Sequence, residues 1–263
     1  MKKLAYLFLF LTTVLGFGQN PKLYPIRTDS IAIKADLFIG LDGFKNYYYC
    51  NNNVLYKKNT EAILQYQSVS LGKISKVDIL NPLKIIVFYE QFNTAVILDN
   101  QLNEVQRIDF SKLDNSIVVS AIGVAGQNKV WIFNSLKQQL GLYDLVSTQY
   151  QEIGNPIGEG FKYYQTDYNY FYWISQNMQW KVCNLYGKNT TIATIESFDD
   201  CQIITDTKIL FFKDNALFVR DYTNNKEYQI EIVEKSLRNF FYKDQILSIF
   251  TNKGITNYKI TIP

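Results

Sequence analysis

The chain has 263 residues and carries 27 Lys and Arg against 24 Asp and Glu, so its formal net charge of +3 gives no strong attraction for nucleic acid or an acidic membrane surface. It contains no histidine, which excludes Ser-His-Asp and Cys-His nucleophile pairs and every His-ligated metal site. The 20 Tyr and 18 Phe, set against 13 Gly and 5 Pro, favour β-strands.

The first 18 residues have the pattern of a secretory signal peptide. Lys2 and Lys3 give a positively charged start, residues 4–15 are apolar but too short to cross a bilayer, and Gly16 and Gly18 supply the small residues of a cleavage site. No cysteine follows that would carry a lipid anchor. We therefore expect a periplasmic or secreted protein that does not insert directly into the membrane. An uncleaved N-terminal anchor is the alternative.

Strand-like segments fill the rest of the chain. Residues 31–34 form a short alternating run with no hairpin partner beside it. From residue 36 onward, short runs rich in Val, Ile, Phe and Tyr alternate with Asn, Asp and Gly turns, a pattern typical of consecutive antiparallel strands. They form units of four strands, followed by three strands that end at residue 263. The units are residues 36–70, 75–110, 117–153, 161–195 and 201–233.

The units repeat with a period near 40 residues. The residues that end the third strand of each unit recur at intervals of 36 to 45 residues: Lys57, Asp99, Asp144, Asn184, Asp221 and Asn257. Four strands per repeat at this period are typical of propeller blades. A stacked β-helix needs shorter coils, and a two-sheet sandwich needs no period.

The sequence therefore predicts an all-β fold, a six-bladed β-propeller of four-stranded antiparallel blades in one domain over residues 19–263. The last unit has three strands, and the lone run at residues 31–34 supplies the fourth by pairing with the strand at residues 255–261. This pairing closes the ring and removes two exposed sheet edges, which would otherwise promote aggregation.

The three cysteines show no metal-binding or redox spacing. Cys50, Cys183 and Cys201 lack any C-x-x-C arrangement, and they are predicted to be buried free thiols that pack as small apolar residues. A Cys183–Cys201 disulfide is the alternative. No cofactor and no metal are expected.

Carboxylates cluster in the predicted loops between blades, which share one face of the ring with the middle hairpin loops. These loops span residues 71–74, 111–115, 154–160 and 197–200. Asp114, Glu159, Asp199 and Asp200 belong to them. Converging carboxylates would support acid–base chemistry or cation binding, and a glycosidase would need two about 5 to 9 Å apart. Because Asp is common in turns, we predict a non-enzymatic binding face instead.

The densest aromatic run lies between residues 163 and 173 and includes Tyr163, Tyr168 and Trp173. Rings exposed on a rim stack on sugars or anchor a protein partner. The alternation of the two strands places half of these rings inside the blade, where they would serve as core. These three residues complete the predicted partner or ligand face.

The repeat resembles β-propellers in general over essentially all of the mature chain. It has no Trp-Asp blade ends, no Gly-Gly kelch pairs and no Ser-x-Asp-x-Gly-x-Thr-Trp boxes of sialidases. Phe17-Gly18-Gln19, with a composition rich in Lys, Asn, Ile and Tyr, resembles exported proteins of the Bacteroidota. Periplasmic propellers of that group are similar to accessory parts of outer-membrane machines, including type IX secretion and gliding.

The resemblance implies a non-enzymatic scaffold whose partner is another, envelope-associated protein. A glycan-binding module that uses the exposed aromatic rings is the second hypothesis. A glycosidase based on carboxylates is the third. Nucleic acid is not an expected partner.

We predict that the protein is exported and cleaved after Gly18, because the charged start, the apolar stretch and the small residues follow the order that signal peptidase requires. The intact mass of the protein recovered from cell fractions should correspond to a chain that begins at Gln19. A mature species that retains Met1, or one fixed in the inner membrane, would contradict the prediction.

Overall fold

The computed structural model describes residues 21–113, 115–234 and 236–263, and these residues form a ring of six β-sheets, the blades. The predicted signal peptide lies outside the described residues. Two 3-10 segments, Glu90–Phe92 and Phe110–Lys112, are the helical elements of the described residues. Within the same part of the chain, none of the helices has the length and apolarity to span a membrane.

The strands follow the predicted units closely. The chain starts with β1 (Lys22–Leu23) and β2 (Ile26–Ile31). Blades one to three then contain β3 (Leu37–Leu41), β4 (Tyr47–Asn51), β5 (Val54–Lys58) and β6 (Ile63–Tyr66); β7 (Lys76–Asp78), β8 (Ile85–Tyr89), β9 (Thr94–Leu98) and β10 (Glu104–Asp109); β11 (Val119–Val124), β12 (Lys129–Asn134), β13 (Gln139–Asp144) and β14 (Tyr150–Glu152). Blades four to six contain β15 (Phe161–Thr166), β16 (Tyr170–Ser175), β17 (Gln179–Asn184) and β18 (Asn189–Thr194); β19 (Asp200–Ile203), β20 (Lys208–Lys213), β21 (Ala216–Asp221) and β22 (Lys226–Ile230); β23 (Asn239–Lys243), β24 (Ile246–Thr251) and β25 (Gly254–Lys259).

From β3 onward the strands of each blade pair in sequence order, and the earliest of them lies innermost, next to the innermost strands of neighbouring blades. The core consists of a hydrophobic cluster at each junction between blades. The second and third strands supply most of it: every residue of β8 and β9 is buried, whereas β2 on the periphery is almost wholly exposed. Alternating side chains of one sheet thus pack against both neighbours.

Side chains of one blade bind the unpaired inner backbone edge of the next. The Gln165 side chain donates to Ile203 O at 2.8 Å and accepts from Ile203 N at 3.0 Å. Gln202 repeats this arrangement one blade later, with 2.7 Å to both Tyr242 O and Tyr242 N. Because buried backbone groups must be paired, these bridges replace the hydrogen bonds that a neighbouring strand would make.

The same device recurs at other junctions. Asp78 of blade two accepts from Val124 N at 2.9 Å, and Asn239 of blade six donates to Phe38 O at 2.6 Å. Each bridge fixes a blade in height and rotation relative to the next. The ring is therefore rigid where its innermost strands meet.

The N-terminal segment closes the ring, as predicted. β2 pairs antiparallel with β25, with Ile26 opposite Lys259 and Ile31 opposite Ile255, and so completes blade six as its outermost strand. β1 adds a parallel fifth strand to blade five beside β22, which the sequence did not indicate. A salt bridge of 2.8 Å between Lys22 and Glu231 accompanies it.

The predicted position of the closing strand was wrong by several residues. The alternation at residues 31–34 marks a connection, in which Ile33 is buried against blade six in the cluster that also contains Phe250 and Ile255. The true strand, β2, is exposed at nearly every position because it lies on the outside of the ring. A strand with two solvated faces has no apolar alternation for a sequence to show.

Gly254→Ala should open this closure. A Cβ at Gly254, whose φ is +121°, would collide with Ile31 O and lie 2.8 Å from Ile33 N, so β2 would be pushed away from β25. We expect the melting temperature to fall by about 2–12 °C, since such strain costs about 1–3 kcal/mol. Hydrogen exchange of the β2 amides should accelerate at the same time.

Gly43→Ala is the matched control, because a Cβ there has no neighbour within 4 Å and its φ is not positive. This variant should melt close to the wild type. Unchanged protection of the β2 amides in Gly254→Ala would contradict the closure.

Candidate functional site

Strand direction divides the loops between two faces of the ring. The lower face carries the loops between blades and the loops joining second to third strands. The upper face carries the loops joining first to second and third to fourth strands. The predicted ligand face corresponds to the lower face.

Among the described residues, the predicted carboxylates of the lower face do not form one cluster. Glu159 is bound within blade four, where it accepts from Lys181 Nζ at 2.7 Å and from Trp173 Nε1 at 3.3 Å. Asp199 is exposed in blade five, and the next residue, Asp200, starts the innermost strand β19. Asp114 lies outside the described residues.

Asp200 faces a lysine that the sequence analysis missed. Burial raises the pKa of Asp200 to about 6, partly opposed by its own hydrogen bond to Cys201 N and by the charge of Lys76. Burial also lowers the pKa of Lys76, against the attraction of Asp78 and Asp200. Lys76 Nζ lies 5.0 Å from the ring centroid of Tyr164, at the distance of a cation–π contact.

These groups form a polar cluster between the innermost strands of blades two, four and five. Lys76 is the first residue of β7, and a lysine at the end of a strand is not conspicuous in a sequence. Only its position within the repeat could have identified it as part of this cluster. A single carboxyl of raised pKa beside a lysine can bind and exchange a proton. Asp78, the other neighbouring carboxylate, accepts from Leu80 N, Val124 N and the Thr166 hydroxyl, which fixes it as a structural acceptor.

Most rings of the predicted aromatic run are core. Trp173 is 1% exposed and packs in the cluster between blades three and four, so its prediction as a partner-facing residue was wrong. Tyr163 is partly buried, and its hydroxyl donates to Gln165 Oε1 at 2.7 Å, which holds the bridging amide in place. Burial raises the pKa of Tyr163 well above its usual value.

Tyr168 is exposed, but it lies on the upper face, in the loop joining β15 to β16. The predicted face is therefore split: Glu159, Asp199 and Asp200 lie towards the lower face, and the one clearly exposed ring, Tyr168, lies on the upper face. The physical reason is that residue 168 follows one complete strand after the inter-blade loop, which carries the chain to the other end of the ring.

Tyr168 lines a pocket of about 250 Å³ on the upper face, at the meeting point of blades two, three and four. The pocket has a buried apolar floor and a polar rim. The floor consists of Ile86, Val124, Ala125, Val130 and the partly buried Leu145. The rim carries Asn81, Lys84, Gln127, Asn128, Lys129 and Tyr168.

The pocket walls are held by the backbone. Gly126 N donates to Tyr168 O at 2.7 Å, which joins the loops of blades three and four. Leu145 N donates to Asn128 O at 3.0 Å, which joins two turns of blade three. The pocket is thus formed before any ligand arrives.

Exposed apolar side chains also lie in the upper-face turns of the same three blades. Leu83 beside Lys84 is 62% exposed, Val146 beside Leu145 is 77% exposed, and Tyr186 in the turn after β17 is 92% exposed. Exposed apolar side chains that lie among polar residues are typical of binding sites for proteins or ligands.

The cysteines are free and buried, as predicted, and the alternative Cys183–Cys201 disulfide is not formed. Burial raises the pKa of Cys50 to about 11 and that of Cys183 to about 12, so neither thiol ionises at neutral pH. Within residues 21–113, 115–234 and 236–263, Cys, Asp and Glu side chains form no group of three suited to a metal ion.

No protein-family model matches the sequence, and no curated protein matches it significantly. Solved structures share its fold. BamB from Moraxella catarrhalis has a TM-score of 0.51 at 10% identity, over 89% of this chain and 99% of that one. YCF48 bound to D1 peptide has a TM-score of 0.53 at 11% identity, over 93% and 100% of the two chains.

An enzyme is also among the similar structures. Virginiamycin B lyase from Staphylococcus aureus, as a catalytically inactive variant with one histidine replaced by alanine and with quinupristin, has a TM-score of 0.54 at 10% identity, over 89% of this chain and 99% of that one. At such identities the likeness shows the propeller fold alone.

Asp200→Asn should stabilise the protein at neutral pH. The pKa of Asp200 is about 6 in the folded state, above the unfolded value of about 3.9. The stability that the protonated side chain contributes to the fold is therefore fully present below pH 4 and is lost as the pH rises through 6. The side chain of Asn does not ionise, so the variant does not lose this stability. We expect a gain of about 1–2 kcal/mol at pH 7 that vanishes near pH 4, measured by urea unfolding at both values.

The neighbouring Asp199→Asn is the control, because Asp199 is exposed and its substitution should leave stability unchanged at both values. A destabilised Asp200→Asn at pH 7 would show instead that the ionised carboxylate supports the fold.

Proposed function

We propose that this propeller is an exported, non-enzymatic scaffold that binds another protein through its upper face, as an accessory subunit of an outer-membrane or type IX secretion complex. The observation that carries the proposal is the group of exposed apolar side chains in the upper-face turns of blades two to four: Leu83, Val146, Tyr168 and Tyr186. A broad apolar surface suits a protein partner, whereas a sugar needs rings along a polar groove. The Bacteroidota-like signal segment supports the envelope location.

The arrangement of carboxylates favours binding over catalysis. Glu159 is neutralised by Lys181 and belongs to blade four, while Asp200 faces Lys76 from blade five. Glycoside cleavage requires two free carboxylates that flank a common space. Glu159 and Asp200 do not form such a pair. The chain also has no histidine to play the part of the residue whose loss inactivates the virginiamycin B lyase of similar fold. The peptide bound by YCF48 is consistent with partner binding by a propeller.

Affinity purification of the tagged protein from its own membranes, followed by mass spectrometry, tests the proposal. We expect one stoichiometric partner, and we expect the Leu83→Ser/Val146→Ser variant to lose it, because both side chains belong to the exposed apolar surface. Val69→Ser/Leu136→Ser is the matched control: both side chains are strongly exposed, but on the lower face, so its partner should remain.

Two outcomes would overturn the proposal. Recovery of no partner, together with binding on a glycan array, would assign a sugar-binding module. Turnover of a glycoside that Asp199→Asn or Glu159→Gln abolishes would assign a glycosidase and exclude both binding functions.

A further inference from the structure

The upper-face pocket combines an apolar floor with a polar rim. Its floor is the end of the hydrophobic cluster between blades two and three that borders the pocket, which includes Ile86, Val124 and Val130. At about 250 Å³ it falls below the range of pockets that enclose drug-sized ligands. It therefore accepts one apolar group the size of a side chain, and an oligosaccharide is too large for it.

The rim supplies positive charge without a matching carboxylate. Lys84 and Lys129 both line the pocket, and no Asp or Glu does. Lys84 Nζ donates to Asn128 Oδ1, which holds its ammonium group at the rim. Among the described residues, neither lysine has a carboxylate partner within 4 Å.

Two carboxylates close to the pocket residues, Asp144 and Asp78, are already engaged. Asp144, directly across the strand pair from Lys129, accepts from Val146 N at 2.9 Å and Ser147 N at 3.0 Å. These bonds are the main reason why its pKa is lowered, and the charge of Lys129 makes a smaller contribution. Asp78 behind the floor accepts from Val124 N and two further donors. Asp144 and Asp78 reduce the net positive charge near the pocket, but neither of them lines it.

A ligand must then present an apolar group and an anion a few ångströms apart, in a pocket that is closed at its floor. An internal Asp or Glu side chain offers the carboxylate without the apolar group. An inorganic anion lacks the apolar group as well. The last residue of a peptide, if aliphatic, offers both: its side chain can enter the floor while its terminal carboxylate meets the lysines.

We propose that the upper-face pocket binds the C-terminal residue of a partner protein, an aliphatic residue with a free carboxylate held by Lys84 and Lys129. This inference rests on the proposed protein-binding function and names the part of the partner that is recognised. Leu83 and Val146, exposed beside the pocket, receive the residues that precede the terminus. Asn81, Gln127 and Asn128 offer hydrogen-bonding amides to its backbone.

The test uses three short probes and the purified protein: acetyl-Ala-Ala-Leu with a free C-terminus, the same peptide amidated, and an amidated acetyl-Ala-Glu-Leu-Ala with an internal acid. Binding is followed by NMR, through the amides of Leu145 and Tyr168. We expect saturable shifts with the free acid, and at least tenfold weaker binding of both amidated peptides.

Variants locate the site. Lys84→Gln and Lys129→Gln should each weaken the free acid about tenfold or more, which is roughly the discrimination expected of a charge-assisted hydrogen bond. Lys188→Gln is the matched control, because Lys188 is an exposed lysine of the same face in the turn after β17, outside the pocket. It should bind as the wild type does.

The outcomes separate this inference from the proposed function. Equal binding of the acid and the amide, no binding of any probe, or full binding by both lysine variants would overturn the C-terminal assignment. If a partner is still captured through Leu83 and Val146 in that case, the scaffold function stands and only the pocket's assignment fails.

Discussion

The unpaired backbone edge of each innermost strand is the constraint on which the ring depends. A closed circle of blades leaves these edges without a neighbouring strand, and buried N–H and C=O groups cannot stay unpaired. Gln165, Gln202, Asp78 and Asn239 satisfy them across the junctions between blades. Because these bonds hold each blade at one height and rotation, they also decide which loops meet on the two faces. The upper-face pocket is a product of that alignment.

The fold could be predicted from the sequence because each blade repeats the same local pattern of turn residues and apolar runs. Turn acceptors such as Asp99, Asp144 and Asp221 end the third strands, and each binds backbone amides of the turn that follows it. Buried second and third strands gave continuous apolar runs, which are the strongest signal a strand can give. The exposed closing strand β2 gave almost none, and so it was predicted several residues too late.

The candidate site could not be predicted in the same way. Lys84 and Lys129 are separated by a whole blade in sequence, and Tyr168 belongs to the blade after that. Each lies at a turn, where Lys, Asn and Gln are ordinary surface residues. Only the register between blades brings them together. The aromatic run was conspicuous in the sequence for the opposite reason: its rings pack the core, as the burial of Trp173 shows.

Ring closure by β2 also has a consequence for the order of synthesis. β2 emerges early, but its partner β25 lies more than 200 residues later in the chain, and at about 5–20 residues per second its synthesis takes roughly 10–40 s more. A strand that waits this long with open edges is a hazard if it is apolar, because it pairs with other chains. The sequence of β2 is Ile-Arg-Thr-Asp-Ser-Ile, polar at every central position. Its weak strand signal is thus the property that lets the nascent chain wait for its last blade without aggregating.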